Sequence, residues 1–151
     1  MESSTTVIVS GYFNPLHIGH LRLLQAAHAA GDRLVVIVNN DQQQERKKGR
    51  VIMPEADRRA IVAAIGIVDE AVVAVDDDPT VIATIEQIAR AERAADPSRR
   101  IVFGNGGDRD SAAVVPEQEV CDRYGIEMVF DMGGTDKADS SSRINQALES
   151  G

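Results

Sequence analysis

The sequence is poor in cysteine and in aromatic residues, and both shortages restrict the kind of protein it encodes. Its 151 residues include one cysteine, no tryptophan, two tyrosines and three phenylalanines. A single cysteine excludes an internal disulfide and fits a reducing compartment. Cys121 lies in a helical pattern, which predicts simple packing. The apolar residues are instead largely Ala, Val and Ile, which suit β-branched parallel strands covered by Ala-rich helices.

The sequence also lacks an excess of positive charge and any long apolar run. The formal net charge is −8 and there is no basic stripe, so we expect no binding to nucleic acid. We recognise no signal peptide and no apolar run of membrane-spanning length, so we expect a cytoplasmic protein without membrane attachment. The length fits one domain, residues 1–151. An anionic substrate would have to bind in a local positive pocket.

Apolar runs alternate with helical segments, which predicts an α/β fold: a doubly wound, five-stranded parallel sheet with helices on both faces. The predicted strands are residues 5–10, 34–39, 70–75, 101–104 and 126–131. The predicted helices are residues 21–30, 54–64, 79–94, 116–124 and 140–148. Gly31 indicates a helix C-cap, and Asp78 is a candidate N-cap. In such sheets ligands bind beyond the carboxyl ends of the strands, where the strand order reverses.

Residues 11–20, with the sequence Gly-Tyr-Phe-Asn-Pro-Leu-His-Ile-Gly-His, join the first predicted strand to the first predicted helix. His17 and His20 are three residues apart in the first helical turn, so both can point at one bound group. The helix N-terminus adds free N–H groups that favour phosphate, and Gly19 lets a ligand approach the backbone. Surface histidines at this spacing are common, but their position after the first strand of an α/β pattern predicts a polyphosphate site.

These residues resemble the signature of the cytidylyltransferase-like nucleotidyltransferases, which transfer a nucleotidyl group from CTP or ATP to a small phosphorylated molecule. The resemblance extends over nearly the whole chain and implies a single Rossmann-like domain. It implies that His17 and His20 are catalytic, and that Asn14, where the family often has an acidic residue, lies at the acceptor. It also implies a set of nucleotide-binding residues in this segment: Gly11, Tyr12, Phe13 and Gly19.

Residues 39–50 follow the second predicted strand and carry clustered positive charge. A charge run of this kind is often a solvated loop. The resemblance instead implies that Lys48, before Gly49, contacts the triphosphate or the acceptor's phosphate, with Lys47 as the alternative. It likewise matches Arg58 to a family arginine that would bind the acceptor's phosphate. The alternative for Arg58 is an exposed charge on a helix.

Two further segments follow predicted strands. In residues 103–110, three glycines let the backbone approach a ligand, so Gly104 is a candidate contact, and Asp108 could bind ribose hydroxyls or help to hold a metal. The alternative is a flexible turn. This segment resembles both the Gly-Gly-Asp element of heptose-phosphate adenylyltransferases and the Gly-x-Asp region of glycerol-3-phosphate cytidylyltransferases, so it leaves the base open.

The last of these segments, residues 133–143, has three serines at a predicted helix N-terminus: Ser140, Ser141 and Ser142. Simple helix capping by Ser140 is one interpretation. The resemblance implies a second cradle for the nucleotide's β- and γ-phosphates. Lys137 or Arg143 would supply the cation that many family members place ahead of these hydroxyls.

The resemblance implies transfer of CMP or AMP to a small acceptor that bears a phosphate or phosphonate, by in-line displacement with release of pyrophosphate. We expect Mg²⁺ bound to the nucleotide, a slight preference for CTP, and a homodimer. One alternative is an ATP-dependent adenylyltransferase of the sugar-phosphate type. Another is a nucleotide-binding regulatory module without catalysis, but the presence of His17, His20 and Lys48 argues against it.

Overall fold

A computed structural model describes residues 4–14, 16–48, 53–78, 80–106 and 116–132. The strands are β1 (Thr5–Gly11), β2 (Arg33–Val38), β3 (Glu70–Val73), β4 (Arg100–Gly106) and β5 (Glu127–Met132). The helices are α1 (Ile18–Ala29), α2 (Asp41–Lys48), α3 (Glu55–Ala63), α4 (Ile82–Ala95) and α5 (Gln118–Tyr124). Asp108, the serines at 140–142, Lys137, Arg143 and the predicted helix at 140–148 lie outside the described residues.

All five strands are parallel and lie in the order β3-β2-β1-β4-β5, which confirms the predicted doubly wound sheet. The chain builds outward from β1 through β2 to β3, and then returns to the other side of β1 with β4. The strand order therefore reverses between β1 and β4. Their carboxyl ends, at Gly11 and Gly106, form the edge at which open parallel sheets bind ligands.

The two faces of the sheet bury separate apolar clusters because side chains alternate along each strand. On one face, Val7 and Val36 pack with Leu24 of α1 and Val62 of α3. On the other, Ile8 packs with residues of α4 and α5, namely Ile85, Ala89, Val120 and Cys121. Helices thus cover both faces, as the composition predicts. Cys121 is fully buried in this second cluster, which confirms its packing role.

The structure corrects three local predictions. Residues 41–48 form helix α2 and not a solvated loop, because Asn40 and Gln43 make a capping box: Gln43 N donates to Asn40 Oδ1 at 2.9 Å, and Asn40 N donates to Gln43 Oε1 at 3.0 Å. Asp78 does not cap α4. Its carboxylate accepts from Thr80, while Asp76 accepts from the backbone N–H groups of Ala83 and Thr84.

Gly31 follows α1, but as the residue beyond a right-handed C-cap at Ala30. Its role is close packing against β1. A Cβ at Gly31 would lie 2.8 Å from a methyl group of Val7 and 2.9 Å from the carbonyl oxygen of Thr5. The glycine therefore lets the end of the helix approach the edge of the strand.

Candidate functional site

His17 and His20 form the N-terminal cap of α1. Gly19 N donates to His17 Nδ1 at 3.0 Å, and His17 N donates to His20 Nδ1 at 3.2 Å. The two imidazoles therefore form a capping box, with His17 at the N-cap and His20 at the third helical position. Their ring centroids are 3.8 Å apart and the planes are tilted by 31°. The two rings predicted to act together do lie side by side, directly beyond β1.

This capping geometry determines which nitrogen of each neutral ring carries the hydrogen. A neutral imidazole has one nitrogen that accepts and one that carries hydrogen. Since each Nδ1 accepts a backbone N–H, Nε2 carries the hydrogen in the neutral form of both His17 and His20. Each Nε2–H is a directional donor, of the kind that stabilises charge developing on a phosphoryl oxygen.

Phe13 supports this pair from the core. Its side chain is 1% exposed, and its ring meets that of His20 edge-on, with centroids 4.7 Å apart and planes at 62°. A Cβ added at Gly11 would lie 2.9 Å from the Phe13 ring, so the glycine leaves room for it. Phe13 itself has a φ of 51°, a strained conformation that costs on the order of 1–3 kcal/mol. The buried ring favours a role for Phe13 in positioning His20, and not the predicted contact with the nucleotide.

Arg58 departs most from expectation, because its side chain is completely buried and the predicted alternative of an exposed charge is wrong. Its guanidinium donates to four protein acceptors: the carbonyl oxygens of Met53 (2.8 Å), Tyr12 (2.7 Å) and Asn39 (2.6 Å), and the Asp41 carboxylate (2.6 Å). These bonds join the segment after β1, the end of β2 and the start of α3. They favour a bracing role over the predicted contact with an acceptor's phosphate.

Asn14 belongs to the same hydrogen-bond network around Arg58, which we call the Arg58 brace. It is 1% exposed, and its Oδ1 accepts from Met53 N at 2.8 Å. An amide oxygen at this position ties the motif segment to the residue just before α3. Asn14 is thus held by protein atoms, and its predicted role at the acceptor stays a prediction.

The structure brings some of the other predicted residues to the same edge. Gly104 is buried in β4, where it pairs with Val9 of β1 and Val129 of β5, and the pairing with β5 shifts register between Gly104 and Gly106. Lys47 and Lys48 are the last two residues of α2. The roles predicted for Gly104, Tyr12, Gly19 and Lys48 toward ligands stay predictions.

Sequence reasoning missed several polar residues around this edge. Asp41, which pairs with Arg58, and the capping pair Asn40 and Gln43 were grouped with a positively charged loop. The spacing Asn-x-x-Gln is a recognisable capping box, so α2 could have been predicted. Nothing in the sequence marks Gln44 or Asp76, which are 0% and 6% exposed.

In the part of the chain that the structure describes, the ionisable groups outside this edge do not suggest a second catalytic centre. Burial, together with the charges of Glu117 and Asp122, raises the pKa of the Cys121 thiol to about 12, so the reactive thiolate is scarce near neutral pH. Hydrogen bonds from Thr80 lower the pKa of Asp78. Within the described ranges, no group of three or more His, Cys, Asp or Glu side chains could hold a metal ion. None of the described helices is long and apolar enough to span a membrane.

Comparison with known proteins extends these observations. A family model described as cytidylyltransferase-like matches residues 8–147. The chain is 36% identical over 130 residues to an FAD synthase of Natrialba magadii, covering 86% of this chain and 78% of that protein. It is 32% identical over 154 residues to the bifunctional protein HldE of Syntrophotalea carbinolica, covering 99% of this chain. The chain spans 21% to 29% of the length of the first HldE proteins that it matches.

Among solved structures, the lipopolysaccharide core biosynthesis protein from Thermoplasma volcanium has a similar fold. The TM-score is 0.64, over 85% of this chain and 96% of that one. The sequence identity is 23%, so this likeness concerns the fold alone.

Proposed function

Because the chain belongs to the cytidylyltransferase-like family of nucleotidyltransferases, we propose that it transfers a nucleotidyl group from a nucleoside triphosphate to a small acceptor bearing a phosphate or phosphonate. The observation that carries this proposal is the histidine capping box. It presents two Nε2–H donors at a helix N-terminus, at the edge where β1 and β4 reverse the strand order. A polyphosphate is the ligand that this combination of donors and helix dipole favours.

We propose ATP as the donor. The sequence favours CTP slightly, but an FAD synthase matches 86% of this chain, and FAD contains an adenylate joined through phosphate to FMN. An adenylyltransferase is therefore the better-supported form of the proposal. Its acceptor would be a small molecule with a terminal phosphate, of which FMN and sugar phosphates are the first to test.

The reaction needs no nucleophilic side chain. An oxygen of the acceptor's phosphate, already ionised near neutral pH, attacks the α-phosphorus of the triphosphate. The bond from that phosphorus to the bridging oxygen breaks, and the electron pair leaves with pyrophosphate. Catalysis then depends on alignment and on donors that match the developing charge. His17 and His20 would donate from Nε2 to oxygens of the α-phosphoryl group and the leaving group.

Other residues would hold the two substrates in line. We propose that Lys48 neutralises charge on the triphosphate or the acceptor, and that the serines at 140–142 bind the β- and γ-phosphates. Arg58 would act indirectly, by fixing the segment that carries Tyr12 relative to β2. Mg²⁺ would arrive on the triphosphate, where it offsets phosphate charge. Asp108, the predicted candidate for helping to hold a metal, lies outside the described residues.

A pyrophosphate-release screen tests this proposal. ATP and CTP, each with Mg²⁺, are crossed with FMN, a sugar phosphate and glycerol 3-phosphate, with each nucleotide alone as the blank. We expect release that needs both a nucleotide and an acceptor, and that is faster with ATP. Release that is independent of acceptor would indicate a hydrolase, and faster release with CTP would reverse the choice of donor.

A further inference from the structure

Helix α2 carries two adjacent buried glutamines whose hydrogen bonding differs completely. Gln43 is 1% exposed: its Oε1 accepts from Asn39 Nδ2 and Asn40 N, and its Nε2 donates to the carbonyl oxygens of Asp78 and Thr80. Gln44 is 0% exposed, yet neither its Oε1 nor its Nε2 has a hydrogen-bond partner in the part of the chain that the structure describes.

An unpaired buried amide is costly. The glutamine side chain has two N–H donors and an oxygen that accepts two bonds, and burial removes the water that would otherwise pair with them. Native proteins therefore leave few such groups unpaired, and each one calls for an explanation. The amide of Gln43, by contrast, forms all four of its hydrogen bonds with protein groups, as expected for a structural role.

Gln44 lies on a helix that follows the carboxyl end of a central strand, β2, and its neighbours on that helix contact two other segments. Successive residues in a helix are 100° apart, so Gln44 lies between Gln43, 100° away on one side, and Asp41, 60° away on the other. Gln43 contacts the turn between β3 and α4, and Asp41 contacts Arg58, which in turn bonds Tyr12 after β1. Since α2 begins at Asp41, just after β2 ends at Val38, Gln44 follows the carboxyl end of β2.

This position also separates Gln44 from the side proposed for the nucleotide. Gly104, a candidate for nucleotide contact, is on β4, which lies on one side of β1. Gln44 follows β2, on the other side. If the nucleotide and the acceptor bind side by side along this edge, with the nucleotide at β4, the acceptor lies near α2.

We propose that Gln44 is a specificity-determining residue that binds an uncharged polar group of the acceptor, a proposal that rests on the function proposed above. A phosphate only accepts hydrogen bonds, so it cannot satisfy the oxygen of an amide. The group that pairs with both ends of Gln44 must donate and accept. A hydroxyl of a polyol or sugar phosphate has this chemistry, and so does the N–H and C=O edge of a ring amide such as that of FMN.

The test compares Gln44→Met with Gln43→Met, since methionine keeps the length of glutamine and removes the amide. For each variant, thermal melting of the free protein, calorimetric binding of each acceptor and ATP, and KM are measured. Gln44→Met should melt at or above the wild-type temperature, because an unpaired amide is lost. It should weaken acceptor binding tenfold or more and leave ATP binding unchanged. Gln43→Met should melt lower, because four partners lose their bonds.

The outcomes separate this inference from the proposed function. Loss of FMN affinity alone would identify a ring amide as the group recognised, and loss of sugar phosphate affinity alone a hydroxyl. If wild type binds an acceptor better than Gln44→Met but releases no pyrophosphate, the inference stands and the proposed function fails. If pyrophosphate is released but the variant binds every acceptor like wild type, Gln44 is only a core residue and the inference is wrong. Failure of wild type to bind any of the acceptors also overturns it.

Discussion

His17 caps a helix, and we propose that it also donates a hydrogen bond to substrate; two substitutions separate these roles. His17→Ala removes both the Nδ1 that accepts from Gly19 N at 3.0 Å and the Nε2–H. His17→Asn removes only the second, because asparagine is among the best N-cap residues and its Oδ1 can accept the same N–H. The two variants thus separate the proposed catalytic contact from the structural one.

The expected magnitudes differ enough to be measured. Loss of an N-cap costs about 1 kcal/mol, so His17→Ala should melt roughly 2–4 °C below wild type, whereas His17→Asn should melt close to it. Loss of one preorganised donor to the transition state costs about 2.7 kcal/mol, so both variants should lose roughly 100-fold in kcat. His20→Gln is the companion variant, since glutamine is usual at the third position of a capping box.

The assays are thermal melts of the free proteins and initial rates of pyrophosphate release with all substrates saturating. If His17→Asn keeps a kcat near that of wild type, His17 is a cap and the proposed donor role is refuted. Equal melting of the alanine and asparagine variants would instead refute the capping interpretation.

Three further predictions concern the brace, the lysines and the assembly. Arg58→Met should destabilise the protein by about 3 kcal/mol or more, because the carbonyl oxygens of Tyr12 and Asn39 and the Asp41 carboxylate lose their hydrogen-bond donor. A rise in acceptor KM at an unchanged melting temperature would instead favour direct binding of the acceptor by Arg58. Lys48→Ala should reduce kcat strongly and Lys47→Ala much less, and the reverse order in single-variant kinetics would move the contact by one residue. Light scattering should give the mass of a homodimer, and a monomer at all working concentrations would contradict this expectation.

Much of the fold could be predicted because parallel strands buried on both faces are continuous apolar runs. Val7, Ile8 and Val9 are all fully buried, and they alternate between two clusters that helices cover. Local signals also placed most elements to within a few residues. Helix α2 was missed because its positive charge was considered without its capping box.

The candidate site was less predictable, because its geometry depends on segments that are distant in sequence. The chain around Arg58 reads as an amphipathic helix with exposed charge. Nothing local indicates that backbone oxygens from two other segments will surround the guanidinium. The left-handed backbone of Phe13 and the isolated amide of Gln44 likewise appear only once the sheet is assembled. The histidine box was predicted as a pair, but its capping role was not, since capping boxes usually have Ser or Thr and Glu or Gln.

The fate of a labelled α-phosphate tests the central claim most directly. ATP labelled at the α-phosphorus is incubated with Mg²⁺, the acceptor that gives most pyrophosphate and the protein, and the products are separated. The account predicts that the label joins the acceptor through a new phosphoanhydride bond, in an amount equal to the pyrophosphate released. Label recovered only in free AMP, or in ADP with the acceptor carrying the γ-phosphate instead, would contradict it.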